Sequence, residues 1–212
     1  MYTQWIRQFP TKKFEKDSYL FLQGDELDYC YYITKGICSK STSYENGIEV
    51  IVKYHFPHDL LNIWGVLKNR TTCSSTVIAK TDVHAIMVPV AVIRKKMSED
   101  FAFYRQIVEP LIEDNQYIYQ QYQKKTKGGT AEMLCYSILA LSRSSSNDQK
   151  HLPKVFSFMD LSQHLRIHRI TVSHIFQALQ KEQIIRKCKD GWQILNVEAL
   201  EEYAQGNKTL NY

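Results

Sequence analysis

From Phe14 to about Val88, apolar and polar residues alternate over short runs broken by turn residues. Tyr19 to Leu22 runs into Gly24-Asp25, and Tyr31 to Ile33 stops at Gly36. Ile37 to Tyr44 and Ile48 to Tyr54 flank Asn46-Gly47, a dipeptide suited to a two-residue hairpin loop because both residues tolerate positive φ. Thr76 to Ala79 and Val83 to Val88 add two more runs. Short strands at this spacing predict an antiparallel sandwich or closed roll rather than a parallel sheet.

After Val88 the period changes. Pro89 opens a helix predicted over Val90 to Met97, and a longer one follows from about Asp100 to Lys127. Pro110 is expected to kink or split the second, since it has no N–H for the preceding turn. Beyond it, Leu111, Asn115, Ile118, Tyr122 and Lys125 recur at alternating spacings of four and three, the interval of a helix packed along a partner. This stripe would fit packing on the β domain as well. Asn115 and Lys125 are better tolerated at a seam between two copies, where a polar residue fixes register at a cost in stability. Leu111, Asn115, Ile118 and Tyr122 are therefore the candidate dimer interface.

Gly128-Gly129 reads as a hinge, and Thr130 starts a helix over Ala131 to Leu141 with Leu134, Ile138 and Leu141 on one face. Arg143 to Lys150 reads as a polar loop. These breaks predict a β domain over 1–99, a long helix over 100–127 and a third region over 128–212.

The third region contains the most informative pattern. Asp160 to Leu165 forms a short amphipathic helix with Ser157 placed to cap it, and a turn at Arg166 to His168 leads into a second helix, Arg169 to Glu182. Ile170, Val172, Ile175, Phe176 and Leu179 include an inward stripe, while Arg169, Ile170, Ser173 and His174 cluster at the amino-terminal end of the outward face. Two extended runs then flank Asp190-Gly191, a hairpin signal, and Val197 to Tyr203 closes as a short helix. Two helices, a tight turn and a β-hairpin parse as a winged helix-turn-helix, a module that places its second helix in the major groove of DNA. Arg169 is suited to donate two bonds to the O6 and N7 of guanine, and Gln177 lies on the same side. Thr171, Ser173 and His174 complete the candidate base-facing set. Lys187 and Lys189 on the hairpin are the candidate phosphate contacts.

Charge supports this reading. Lys150 to Leu195 holds eight Lys and Arg against three Asp and Glu, and the rest of the chain holds nineteen of each, so the whole formal charge of +5 falls in this segment. A surface that displaces counterions from DNA is expected to carry such a surplus. Elsewhere, composition mostly excludes. The 212 residues, 44% hydrophobic and 23% charged, suit one large or two modest soluble domains. No apolar run approaches the roughly 20 residues of a transmembrane helix, and the start has no signal-peptide core, so a cytoplasmic protein without membrane contact is expected. Cys30, Cys38, Cys73, Cys135 and Cys188 are scattered, which favours free thiols over disulfides or zinc. No cysteine precedes Cys30, so an amino-terminal iron–sulfur ligand cluster is absent. The seven His are dispersed, and no nucleophile is paired with a base. Neither metal, cofactor nor catalysis is expected.

A β-roll, a long helix, a glycine hinge and a winged helix in that order resemble the Crp/Fnr family of bacterial transcription regulators. The resemblance rests on Phe14 to Gly36 with Gly24-Asp25 and Tyr31-Tyr32-Ile33, on Asn46-Gly47, on Pro57-His58-Asp59-Leu60-Leu61, and on Arg169-Ile170-Thr171-Val172-Ser173-His174. Tyr29-Cys30 and Glu45-Asn46-Gly47 are similar to the PrfA-like branch, which implies a Gram-positive host. The fold implied is α+β, with a cyclic-nucleotide-binding-type β-roll, a long dimerisation helix and a carboxy-terminal winged helix-turn-helix.

The departures are informative. Where nucleotide-binding members have Gly-Glu for the ribose, this chain has Asn62-Ile63, and the stretch matching the phosphate site, Thr71 to Ser75, has no cation, although Arg70 lies just upstream. The resemblance therefore implies no dependence on cyclic AMP; another effector, or none, fits the roll. Ile170 stands where the family usually has Glu, so it cannot accept a bond from cytosine N4 but can pack on a thymine methyl, and His174 replaces a frequent Arg. Arg166 replaces the family's turn glycine and is expected to disfavour a left-handed residue there. The expectation is a homodimer on a near-palindromic DNA operator, contacting RNA polymerase if it activates, with an unidentified small-molecule effector open. The alternative is a small-molecule sensor module that regulates a protein partner.

Overall fold

The computed structural model describes residues 2–44, 49–126, 129–144 and 150–212. The chain divides into two compact units, Met1–Asp114 and Asn115–Tyr212.

The first unit begins with α1 (Tyr2–Ile6) and then builds strands β1 (Thr11–Phe14), β2 (Tyr19–Phe21), β3 (Tyr29–Lys35), β4 (Cys38–Ser43), β5 (Glu49–His55) and β6 (Leu60–Leu61). A short helix α2 (Ile63–Leu67) precedes β7 (Thr76–Ala79) and β8 (Val83–Pro89). The strands form two four-stranded sheets in the orders β1-β8-β3-β6 and β2-β7-β4-β5, with every pairing antiparallel. This is the roll that the alternation predicts. Cys30, Ile33, Cys38, Val77, Val83 and Val88 are fully buried in its core. At Gly36, with φ +94°, an added Cβ would lie 2.3 Å from the Asp82 carbonyl, so the β3–β4 turn admits no side chain. The predicted Asn46-Gly47 turn lies outside the described residues.

Helix α3 (Val90–Glu99) starts after Pro89, and α4 (Phe101–Thr126) runs unbroken across Pro110, so the proline does not split it. Pro110 removes one N–H donor from the ladder, yet the helix continues on both sides of it. Phe103 and Ile107 of α4 are buried in the roll's core, and the Trp5 ring meets Phe103 edge-on at 5.0 Å. Lys53 pairs with Asp114 of α4 at 2.5 Å and lies 3.9 Å from Asp59, which is also 3.0 Å from His55 Nδ1.

The second unit contains the carboxy-terminal half of α4 and then α5 (Thr130–Leu141), β9 (Arg143–Ser144), β10 (Lys150–Pro153), α6 (Phe158–Leu165), α7 (Arg169–Lys181), β11 (Ile185–Cys188), β12 (Gly191–Ile194) and α8 (Val197–Gln205). Gly128, half of the expected hinge, lies outside the described residues; Gly129 is the N-cap of α5 with an ordinary φ of −78°. The ends of the expected polar loop are strands, and the wing is a four-stranded sheet ordered β11-β12-β10-β9 rather than a lone hairpin. Hydrophobic periodicity is faint in β9 and β10, which are too short to show alternation.

Candidate nucleic-acid interface

Ser157 caps α6 as expected, but the helix starts at Phe158, two residues before the sequence boundary. The Asp160 N–H donates to Ser157 Oγ at 3.1 Å and the Ser157 N–H donates to Asp160 Oδ2 at 3.1 Å. Asp160 is thus the third residue of a reciprocal capping box rather than the first of the helix. Leu161 and Leu165 bury the inner face.

The turn corrects a further expectation. Arg166 adopts the left-handed region at φ 54° and ψ 45°, despite the cost of roughly 1–2 kcal/mol that a Cβ carries there. Ser162 offsets the strain. Its carbonyl accepts from the N–H groups of Arg166 and of Ile167, the latter at 3.2 Å, and its hydroxyl donates to the Ile167 carbonyl at 2.7 Å. The chain then enters α7 through His168, whose Nδ1 accepts from the Ile170 N–H at 3.3 Å.

Along α7, Val172, Ile175, Phe176 and Leu179 are buried, which leaves the opposite face outward. Arg169, Ile170, His174 and Gln177 are exposed, with Ile170 at 58%, while Thr171 and Ser173 are half-buried. The sequence left Ile170 in two roles, and the structure assigns it to the outer face. A cluster of three rings fixes the wing to this helix. Trp192 of β12 lies 4.9 Å from Phe176 and 6.2 Å from Phe158, and the two phenylalanines are 4.8 Å apart. The sequence reading missed this cluster, whose signal is the aromatic that follows the cap.

Gly191 also differs from its expected role. Cys188 pairs with Gly191, so the two-residue loop is Lys189-Asp190 and the glycine begins β12. At φ +145° its Cβ would lie 2.1 Å from the Leu152 carbonyl, so glycine is required by the close approach of β10. Lys189 therefore occupies the tip of the wing. Lys187 and Lys189 are exposed, as is Arg186, whose guanidinium donates to Gln193 Oε1 at 2.6 Å. At the far end of α7, the Tyr203 hydroxyl of α8 donates to Glu182 Oε2 at 2.5 Å; this bond and burial push the phenol up to about 12.

Charge divides with the two units. Residues 1–114 hold fourteen Lys and Arg and fourteen Asp and Glu, whereas 115–212 hold thirteen against eight, so the surplus of five belongs wholly to the unit that contains α7 and the wing.

In the roll, the two stretches that differ from a nucleotide site meet each other. Asn62, itself left-handed at φ 69°, donates from Nδ2 to the Tyr29 carbonyl at 3.1 Å and lies 3.7 Å from Cys73 Sγ. Ile63 is buried, and the Arg70 carbonyl accepts from Arg94 at 3.1 Å. All five cysteines are free, and burial pushes the thiols of Cys30, Cys38 and Cys135 up to about 12, away from the reactive thiolate form. Among the described residues no group of three or more His, Cys, Asp or Glu could hold a metal, and no helix is long and apolar enough to cross a membrane.

On α4, Leu111 packs against the roll's core, whereas Asn115, Ile118 and Tyr122 are exposed, Tyr122 at 68%. Ile112 and Tyr119, which the sequence stripe omitted, are also exposed.

Residues 11–100 match the cyclic nucleotide-binding domain family and residues 132–203 match the Crp-like helix-turn-helix domain family. No curated protein matches the chain in sequence. Among solved structures, FixK2 from Bradyrhizobium japonicum aligns with a TM-score of 0.78 at 16% identity, over 92% of this chain and 96% of its own. A CRP-family transcriptional regulator from Thermus thermophilus aligns with a TM-score of 0.71 at 16% identity, over 94% and 98%. The c-di-GMP responsive global regulator CLP from Xanthomonas campestris aligns with a TM-score of 0.65 at 13% identity, over 92% and 97%. At these identities the structural likeness is one of fold. The matches resolve a family and not a branch within it.

Proposed function

Because the chain belongs to the Crp/Fnr family of transcription regulators and carries its DNA-binding helix-turn-helix, we propose that it works as a cytoplasmic homodimer reading a near-palindromic operator without cyclic AMP. The observation that carries the reading is the two-sided character of α7. Its inner face is fully committed to the core, and its outer face presents Arg169, Ile170, His174 and Gln177 beside the cationic wing. In this reading Arg169, Ile170, Thr171, Ser173, His174 and Gln177 face the major groove. Lys187 and Lys189 of the wing contact phosphates beside it.

Support for the dimer comes from Ile112, Ile118, Tyr119 and Tyr122, large apolar side chains exposed along one helix. A two-fold dimer matches half-sites about one helical turn apart. Independence from cyclic AMP is supported by the neutral Asn62–Cys73 contact, where a ribose acceptor and a phosphate cation would be needed. RNA polymerase is the protein partner if the chain activates transcription. The domain roles follow: a sensor-type roll over 1–99, a dimerisation helix over 100–127 and a DNA-reading region over 128–212.

Selection of bound sequences from random duplex DNA, with purified protein and no added ligand, tests the reading. Enrichment of a palindromic motif is expected. No enrichment, alone or with added cell extract or reductant, would instead favour a sensor acting on a protein partner.

A further inference from the structure

The carboxy-terminal half of α4 presents two different faces. Ile118, Tyr119 and Tyr122 are exposed, whereas Tyr117, Gln121 and Lys124, at spacings of four and three, are turned into the second unit. Tyr117 Oη lies 3.2 Å from Ser137 Oγ of α5 and 3.2 Å from His164 Nε2 of α6. Gln121 Nε2 donates to Tyr117 Oη at 3.1 Å and to Ser137 Oγ at 2.6 Å. One turn further on, the Lys124 ammonium donates to the Ala204 carbonyl of α8 and sits 5.3 Å from the Tyr136 ring centroid. The Tyr117 ring stacks on Tyr136 at 5.5 Å. Backbone closes the corner, with the Gly129 N–H donating to the Lys124 carbonyl at 3.1 Å.

We propose that Tyr117, Gln121 and Lys124 form a rack that makes the carboxy-terminal half of the long helix part of the DNA-reading body, with Tyr117 a positioning residue for operator reading. This rests on the DNA-binding reading above. The exposed face that would meet a second copy and the inner face that holds α6 are opposite sides of one helix. A shift at the dimer seam is then delivered to the reading module across the width of that helix. Gly129, the N-cap of α5, then belongs to the body and is not its joint. A partly buried network of this kind behaves as a unit, because losing one member leaves polar groups unpaired in a low-dielectric setting.

The test uses the full chain and an operator series in which the two half-sites are separated by different spacers. Each base pair turns one half-site by about 35° relative to the other. Wild-type affinity is expected to fall about tenfold when the spacer departs by one base pair from its optimum, about the effect of one to two lost hydrogen bonds. Tyr117→Phe should lose about that factor at the optimum, match wild type off it, and bind a single half-site unchanged. In combination with His164→Asn, Tyr117→Phe should have little further effect. Gly129→Ala should leave the spacing profile intact, since φ there is ordinary and the three atoms nearest the added Cβ, at 2.5–2.8 Å, all belong to the end of the flexible Glu132 side chain, which can swing aside. Wild type indifferent to spacing, Tyr117→Phe weakening single and paired sites alike, or a profile changed by Gly129→Ala would each overturn the proposal. Amide exchange in the free protein reads the same claim without DNA. Residues 117–126 and 130–141 should open together and exchange faster together in Tyr117→Phe, and independent opening of the two segments would refute a single body.

Discussion

The hydroxyl of Ser162 donates to the carbonyl of Ile167 across the turn between α6 and α7, at 2.7 Å. Together with the Ser162 carbonyl, which accepts from the two N–H groups of the turn, this bond holds Arg166 in a conformation that its side chain disfavours. Ser162→Ala is expected to destabilise the protein by about 1 kcal/mol, the net worth of one such hydrogen bond. Arg166→Gly should relieve strain and stabilise by up to about 1 kcal/mol. Chemical denaturation midpoints of both variants check the pair of signs.

Arg169→Ala should cost about 1–3 kcal/mol at one operator position and relax the base preference there, while sedimentation still shows the assembly of the wild type. Selection with the variant checks this, and an unchanged motif would remove Arg169 from base readout.

Lys187→Ala should weaken binding on every sequence by a similar factor and lower the slope of log affinity against log salt by about one. Arg186→Ala should do less, since its guanidinium is already engaged with Gln193. Titrations at three salt concentrations on specific and scrambled duplexes distinguish a phosphate contact from a base contact.

Tyr122→Asp should dissociate the proposed dimer by placing a carboxylate on the exposed apolar face of α4. A sedimentation mass that stays dimeric would move the seam elsewhere on the surface.

His55 and Asp59 predict a pH dependence. Burial holds the His55 imidazole below its ordinary value, although the hydrogen bond to Asp59 works in the opposite direction. Its folded pKa is depressed, so as pH falls below about 6.5 the unfolded chain takes up a proton that the folded chain refuses, and stability declines. For Asp59, burial alone would raise the carboxyl, but the His55 bond and charge and the Lys53 ammonium more than offset this and hold it low. Its contribution is present above about pH 4 and is lost only below that. His55→Gln should therefore flatten the fall in melting temperature between pH 7 and pH 5, and an equally steep fall would assign the loss to other groups.

Much of this protein is local enough to read from the chain itself. Short runs interrupted by Gly24, Gly36 and the Asn46-Gly47 pair encode an antiparallel roll; β7 alternates between its two faces, whereas Cys30 to Ile33 of β3 are buried in succession. The spacings in 160–179 encode two short helices, since only one register places Leu161, Leu165, Val172, Ile175 and Leu179 inward. The cap at Ser157 and the outward position of Arg169 follow from the same register.

What only the folded structure decided depends on particular bonds within turns and on contacts between residues distant in sequence. The left-handed Arg166 is held by bonds from Ser162 that outweigh its own preference, and Gly191 is required by the approach of Leu152 rather than by the turn it follows. Strand β10 exists because β12 offers it a partner, and β9 because β10 does, not because two to four residues carry a pattern of their own. The two-faced use of α4 is of the same kind. Leu111 and Ile118 look alike in a helical stripe, but only the packed core shows that the first turns inward and the second stays exposed. A sequence stripe fixes which residues share a face, and the surrounding elements decide which face is covered.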